Sequence, residues 1–314
     1  MKNCTLQLEY TITKEDVNQR LDILLSQKFP EYTRSFFSRL ISDGFVLINH
    51  VVQKKSGLKT KERDQIIVNV PQKNNSSLKE NRENLINISV VFEHEHFLII
   101  NKPIGISVHQ AHDYDLHFTL VDWLLIHYPE LKNIGYHGRP GIVHRLDKNT
   151  SGIMIIPRTS FAHTFFSKAF SLKTIKKTYK ALVCGITDQE GIIDFVIGRD
   201  PYNRIKMKAF KNEFENSGVK TREAKTEYKV ATYFKEHTLL NLYPITGRTH
   251  QLRVHLAAIG HPILGDIVYG NSSLLISRQA LHAFSLSFEF EKKEYYFETE
   301  IPNDMQKVIQ ILSD

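Results

Sequence analysis

The sequence predicts an α+β protein made of a small basic N-terminal unit and a larger mixed one. A polar stretch, QKNNSSLKEN from Gln72 to Asn81, interrupts the chain, and segments of this composition make linkers. Beyond it, strand-like alternation and amphipathic runs follow one another without the regular strand-helix period of a doubly wound sheet. Residues 20–63 carry nine Lys or Arg against four Asp or Glu, so most of the chain's net charge of +7 originates there. The expected division is residues 1–72, a linker at 73–88, and residues 89–314.

In the first unit, NQRLDILLSQKF sets Leu21, Leu24 and Leu25 on one helical face. TRSFFSRLISDG repeats the pattern from a capping Thr33 to a stopping Gly44, leaving Arg34 and Arg39 for the opposite face. FVLINHVVQKKSGLKTKERDQIIVNV predicts short strands around an Asn-His turn, with a basic loop that holds Lys54, Lys55 and Lys59. Outward cations on two helices and a small sheet suit a phosphate backbone.

In the second unit, NISVVFEHEHFLIINKP is strand-rich. GIVHRLDKNTSGIMIIPR predicts strand, turn and buried strand, which puts Asp147 on the connecting loop. Ser160 opens an amphipathic helix, SFAHTFFSKAF. KKTYKALVCG alternates as a strand with Tyr179, Ala181 and Val183 on one side. TGRTHQLRVHLAAIGHP predicts a helix capped by Thr246 or Thr249 and stopped by Gly260, with Thr249, Arg253 and Ala257 on one face.

Composition narrows the function. With 41% hydrophobic and 24% charged residues the chain is ordinary globular protein, and its pI near 9.1 favours a polyanionic partner over a neutral metabolite. No apolar run approaches the roughly 18 residues of a membrane helix, so no membrane partner is expected. Cys4 and Cys184 form neither a disulfide framework nor a zinc spacing, and the expected setting is the cytoplasm.

Two resemblances then become specific. The run RLDILL…TRSFFSRLISDGFVLINHVVQKKSGLKTKERDQIIV resembles an S4-type RNA-binding domain across most of residues 15–70. GRPGIVHRLDKNTSGIMII, KKTYKALVCG and TGRTHQLRVHLAAIGHPILGDIVYG, flanked by NKPIGISVH and RQALHAFSLSF, together resemble the RluA/RluD-type pseudouridine synthases over nearly all of residues 90–300. That resemblance implies a mixed, largely antiparallel sheet with flanking helices and a central RNA cleft, and isomerisation of uridine in RNA. It departs from the pattern at Gln110, where proline is usual, and at Asn149, where aspartate is commoner.

The resemblance also assigns roles. Asp147 is the nucleophile or proton-transfer group, Arg253 its charge partner, and Tyr179 and Leu252 the two sides of the base pocket. Arg145 is associated with flipping the nucleotide, since a stacked base is out of reach of the carboxylate; pairing with Asp147 is the competing reading of this arginine. His144 is expected to order the turn beside the substrate, and the matched motifs also place Thr150 and Arg248 there. Lys176 and Lys177, with Arg199, Arg204, Lys206 and Lys208, are expected to meet phosphates. The isomerisation needs no cofactor and no metal. An N-terminal RNA-binding unit on a polar linker implies ribosomal RNA of the large subunit, alone or in a pre-ribosomal particle, with the chain as a monomer; transfer RNA is the alternative.

Other classes fit less well. An assembly factor with a silent synthase domain is disfavoured because Asp147, Tyr179 and Arg253 are all present. HRLDKN resembles the kinase catalytic loop, but with Leu before Asp and neither a glycine-rich loop nor DFG. A metal site on His94, His96, His109, His112 and His117 lacks any HExxH-type pair.

Overall fold

The computed structural model describes residues 5–71, 86–110, 117–136, 139–203, 206–211 and 218–314; the polar stretch at 72–81, His112 and Arg204 lie outside them. The chain divides into two compact units, one of residues 1–85 and 110–118 and one of residues 86–109 and 119–314.

In the first unit, strand β1 (Thr5–Thr11) precedes helices α1 (Leu21–Lys28) and α2 (Arg34–Ser42), followed by β2 (Val46–Ile48), β3 (Val51–Gln53) and β4 (Gln65–Pro71). The strands form one antiparallel sheet in the order β1-β4-β2-β3. Leu21, Leu24 and Leu25 are fully buried and pack with Phe36, Phe37, Leu40 and Ile41 of α2, the faces that the apolar spacing marks out. Thr33 caps α2 by accepting from the Phe36 amide at 3.2 Å. Asn49 and His50 both take positive φ, as a tight hairpin turn of the primed type requires. Strand β1 escapes the sequence reading because its alternating apolar residues stay partly exposed; its partner β4, some sixty residues away, supplies the hydrogen bonds that make it a strand.

The second unit opens with β5 (Ser89–Glu93), β6 (Phe97–Lys102) and helix α3 (Leu120–His127), then the two-residue pair β7 (Gly135–Tyr136) and β8 (Arg139–Pro140). There follow β9 (Ser151–Pro157), α4 (Ser160–Ser171), β10 (Lys176–Cys184), β11 (Glu190–Asp194), β12 (Val196–Arg199), β13 (Met207–Phe210), β14 (Thr221–Arg222), β15 (Lys225–Tyr233) and β16 (His237–Pro244). Helix α5 (Gln251–Ala258), β17 (Leu281–Phe290), β18 (Lys293–Glu298) and α6 (Asn303–Ser313) complete it. Eight strands run β11-β15-β16-β10-β17-β9-β6-β5, with β18 as the ninth on β17, while β13-β12-β14 form a small sheet of their own.

All pairings in the large sheet are antiparallel except β9 with β17, which share only two register positions, His282 with Ser151 and Ala283 with Gly152. From Ser285 onward β17 turns to β18 instead. Gly152 makes that parallel junction possible. Its φ is +123°, and a β-carbon there would lie 2.2 Å from the Ala283 carbonyl oxygen. Gly152→Ala is therefore expected to cost about 2–3 kcal/mol through overpacking against backbone, read as a lowered thermal midpoint; an unchanged midpoint would remove the junction from the argument.

Two sequence expectations are corrected. The strand expected at residues 141–143 is absent: β8 ends at Pro140, and residues 141–150 are irregular. Neither Thr246 nor Thr249 caps α5, which begins at Gln251 after His250 in the left-handed conformation (φ 56°), so Thr249 lies off the helix and does not share its face with Arg253. Gly260 does end the run, with φ +87°. Among the described residues no helix is long and apolar enough to cross a membrane.

Candidate active site

The turn that carries Asp147 is held carbonyl by carbonyl. The Thr150 amide donates to the Asp147 carbonyl at 3.0 Å. Lys102 Nζ, wholly buried on β6, donates to the carbonyls of Pro103, Ile106 and Lys148 at 2.8, 3.0 and 3.2 Å. Arg278 Nη1 donates to the Asn149 carbonyl at 3.3 Å, while Nε and Nη2 grip Asp304 at the start of α6. Burial pushes the Lys102 pKa down to about 7, against the pull of Asp147. His144 serves the same scaffold. Its Nε2 accepts from the Ile155 amide at 3.0 Å, its ring stacks on Phe170, and burial with the nearby Lys177 charge lowers its pKa to about 3. It is a neutral strut of the turn.

Asp147 meets Arg253 across more than a hundred residues of sequence. Arg253 Nη1 donates to Asp147 Oδ2 at 3.1 Å, and the same guanidinium grips Asp266 through Nε (2.7 Å) and Nη2 (2.9 Å). A bidentate carboxylate fixes the plane of the fork, so Nη1 is aimed rather than merely present. Asp266 is in turn held by the amides of Val268 and Tyr269, and the Tyr269 ring lies 5.2 Å beneath the guanidinium carbon. Side-chain exposure falls along the chain of contacts, from 20% at Asp147 through 7% at Arg253 to none at Asp266. The buried cation is thus paired twice, and only Asp147 opens outward. Its Oδ1 accepts no hydrogen bond from any described residue.

A cavity surrounds that carboxylate, lined by Arg145, Asp147, Thr150, Lys177, Tyr179, Arg248, Leu252 and Arg253 among others. Tyr179 reaches it because β10 lies between β16 and β17, opposite Leu242 and Ala283. Burial and the charge of Asp147 both raise the Tyr179 pKa, so the ring stays a phenol. Leu252 belongs to the apolar cluster on which Tyr179 packs. Arg145 is exposed at the cavity and forms no ion pair with any described carboxylate, so its alternative as partner of Asp147 is not realised. Arg248 donates to the Glu223 carbonyl, and the Thr150 hydroxyl accepts from Gln279. Lys177, lowered to about 8 by burial, faces the cavity. Lys176, one position along the strand, projects to the opposite face and does not line it. An adjoining groove, lined also by the neutral imidazoles of His109 and His144, adds Arg139 and Lys173 to this basic surface. The described residues hold no group of three His, Cys, Asp or Glu that suits a metal.

The family model for RNA pseudouridylate synthase matches residues 96–258, which contain the turn, the strand of Tyr179 and the helix of Arg253. The chain belongs to that family. An S4 domain model matches residues 19–66. A ribosomal large subunit pseudouridine synthase D of Zymomonas mobilis is 36% identical, the match covering 97% of each chain. An uncharacterized RNA pseudouridine synthase of Aquifex aeolicus is 35% identical over 98% of this chain and 97% of that one. Among solved structures, human RNA pseudouridylate synthase domain containing 1 superposes with a TM-score of 0.55 at 25% identity, over 72% of this chain and 95% of that one.

This pseudouridine synthase is an isomerase acting on RNA, with an S4 domain ahead of its mixed, largely antiparallel catalytic fold. In the first unit Arg39, Lys54, Lys55 and Lys59 are exposed; Arg34 is exposed too, but donates to Asp22 at 2.9 Å. Sequence reasoning missed several residues around the synthase's cavity. Asp266 reads locally as a turn aspartate after glycine, Lys102 as a surface lysine, and His250 and Tyr269 as unremarked members of longer motifs. A signal existed only for Lys102, whose neighbours in FLIINKP are almost all apolar.

Proposed function

We propose that this synthase isomerises uridines of large-subunit ribosomal RNA, with Asp147 as the reacting carboxylate on a nucleotide turned out of its stack. The observation that carries the chemistry is the Asp147–Arg253–Asp266 chain: an aspartate paired with a cation that is itself anchored, beside a phenol and an apolar wall. Conversion breaks the bond from ribose C1′ to ring N1, turns the base and bonds C1′ to C5; C5 gives up a proton and N1 takes one. Asp147 Oδ1 is available as nucleophile or proton-transfer group. Tyr179 and Leu252 would sandwich the uracil, while Arg145 occupies the gap in the stack.

Support for ribosomal RNA is the full-length match to synthases named for the large ribosomal subunit, S4 unit included. On this reading residues 1–72 anchor the RNA, 73–88 link, and 89–314 catalyse. On the same reading the chain acts in the cytoplasm as a monomer. Mapping pseudouridine across cellular RNA with and without the gene tests it: sites lost from the large-subunit RNA and restored by the wild type support the proposal, and loss confined to transfer RNA replaces the substrate.

Neutralising Lys54, Lys55 and Lys59 together is expected to lower the slope of log affinity against log salt by about 2, because each phosphate contact releases about 0.7–0.9 counterion. Titrations of RNA binding at several salt concentrations give that slope. An unchanged value would remove this loop from the RNA interface.

A further inference from the structure

We infer that His250 is a positioning residue for the reaction, a second partner of Asp147 that Tyr269 sets in place. The inference rests on Asp147 being the reacting carboxylate. His250 stands immediately before α5 with φ 56° and ψ 18°, and its side chain does not cap the helix. Non-glycine residues seldom adopt this conformation, although histidine and asparagine do so more readily than most. The imidazole is committed elsewhere: Nδ1 lies 2.8 Å from the Tyr269 hydroxyl, and Nε2 lies 3.9 Å from Asp147 Oδ1.

One tautomer of His250 gives the Tyr269 hydroxyl proton an acceptor. The Met207 amide donates to the Tyr269 oxygen at 2.8 Å, and burial raises the Tyr269 pKa, so the phenol keeps its proton. That proton has His250 Nδ1 as its acceptor. Burial, outweighing the charge of Asp147, also lowers the His250 pKa below the ordinary histidine value. A neutral imidazole that accepts at Nδ1 carries its one proton on Nε2. Nε2 is the nitrogen that faces Asp147, and the oxygen it faces is Oδ1, the one Arg253 leaves untouched. The separation is about 1 Å beyond a hydrogen bond. Catalytic hydrogen bonds are often long without substrate and tighten in the complex. Arg253 and His250 then hold the two oxygens from two directions, which stops the carboxylate from rotating as the nucleotide enters and leaves the second lone pair of Oδ1 for the reaction.

The competing account is that His250 merely fits a left-handed turn, and two substitutions separate the readings by their order. His250→Asn keeps a residue suited to that turn and an acceptor for Tyr269, but has no atom at the Nε2 position. His250→Gln places an N–H near the Nε2 position and suits the turn less well. Single-turnover rates on a uridine-containing RNA, measured beside RNA affinity and thermal midpoint, are expected to show His250→Gln about tenfold faster than His250→Asn at equal affinity, the scale of one charge-assisted hydrogen bond. His250→Asn as fast as His250→Gln, or faster, overturns the inference. Tyr269→Phe keeps the ring beneath Arg253 and loses only the hydroxyl; it should slow the wild type several-fold yet add nothing to His250→Asn. Additive losses would show that Tyr269 does not act through His250, and would also overturn it. Turnover by Asp147→Asn would instead discard the assignment of Asp147, whatever the order at His250.

Discussion

Asp147→Asn is expected to stop isomerisation, lowering the single-turnover rate by about four orders of magnitude or more, while RNA affinity stays within about twofold. The amide has nearly the shape of the carboxylate and can still accept from Arg253 Nη1, so the turn, already held through Lys102, Thr150 and Arg278, has no reason to move. What disappears is the negative oxygen. Binding should survive because the S4 unit and the basic groove are untouched. Release of tritium from C5-labelled uridine in RNA reads the rate, and a filter or anisotropy assay reads the affinity. Residual turnover within about a hundredfold of the wild type would mean that the carboxylate is not the reacting group.

Asp266→Ala is expected to be the most damaging substitution for stability, costing about 3–5 kcal/mol, because it leaves the Arg253 guanidinium buried with half of its partners gone. For a unit of this size that corresponds to a thermal midpoint lower by on the order of 10 °C. Turnover should fall as well, since the fork that aims Nη1 at Asp147 is no longer fixed. A midpoint within about 2 °C of the wild type would show that the clamp is not structural. The pH dependence follows from the same contacts. Burial alone would raise the Asp266 pKa, but the hydrogen bonds and charge of Arg253 and the amides of Val268 and Tyr269 bring it below the ordinary aspartate value. A carboxyl lowered on folding contributes stability that is complete above about pH 4 and lost as the pH falls through its folded value. Asp266→Asn should therefore lose less of its own stability than the wild type between pH 7 and pH 3.

Much of the scaffold was legible locally. Apolar spacing marked α1, α2 and α4, the Asn-His pair marked the hairpin between β2 and β3, and the polar, glycine-ended run after HRLD marked a loop with Asp147 on it. These features depend on residues within a few positions of one another. Helix α5 was misjudged at its start for a related reason: threonines are good caps in general, but here Thr246 donates to Gln251 Oε1, which also accepts from the Arg248 amide, and the residue before the helix is His250, whose side chain does not cap it.

The sequence by itself determined the division into a basic S4 unit and a catalytic unit, the family, and the local structure around most motifs, though not the irregular run before Asp147 or the start of α5. Beyond the Asp147–Arg253 pair that the resemblance implies, only the tertiary structure decided which charges meet. Lys102 is buried because three carbonyls from two separate turns converge on it, Asp266 matters because Arg253 arrives from another element, and His250 faces Asp147 because Tyr269 holds its far side. A carboxylate or imidazole carries no local sign of its partner, since electrostatic pairing depends on distance in space, and that distance is set by how the sheet brings β6, β9, β10 and β17 together.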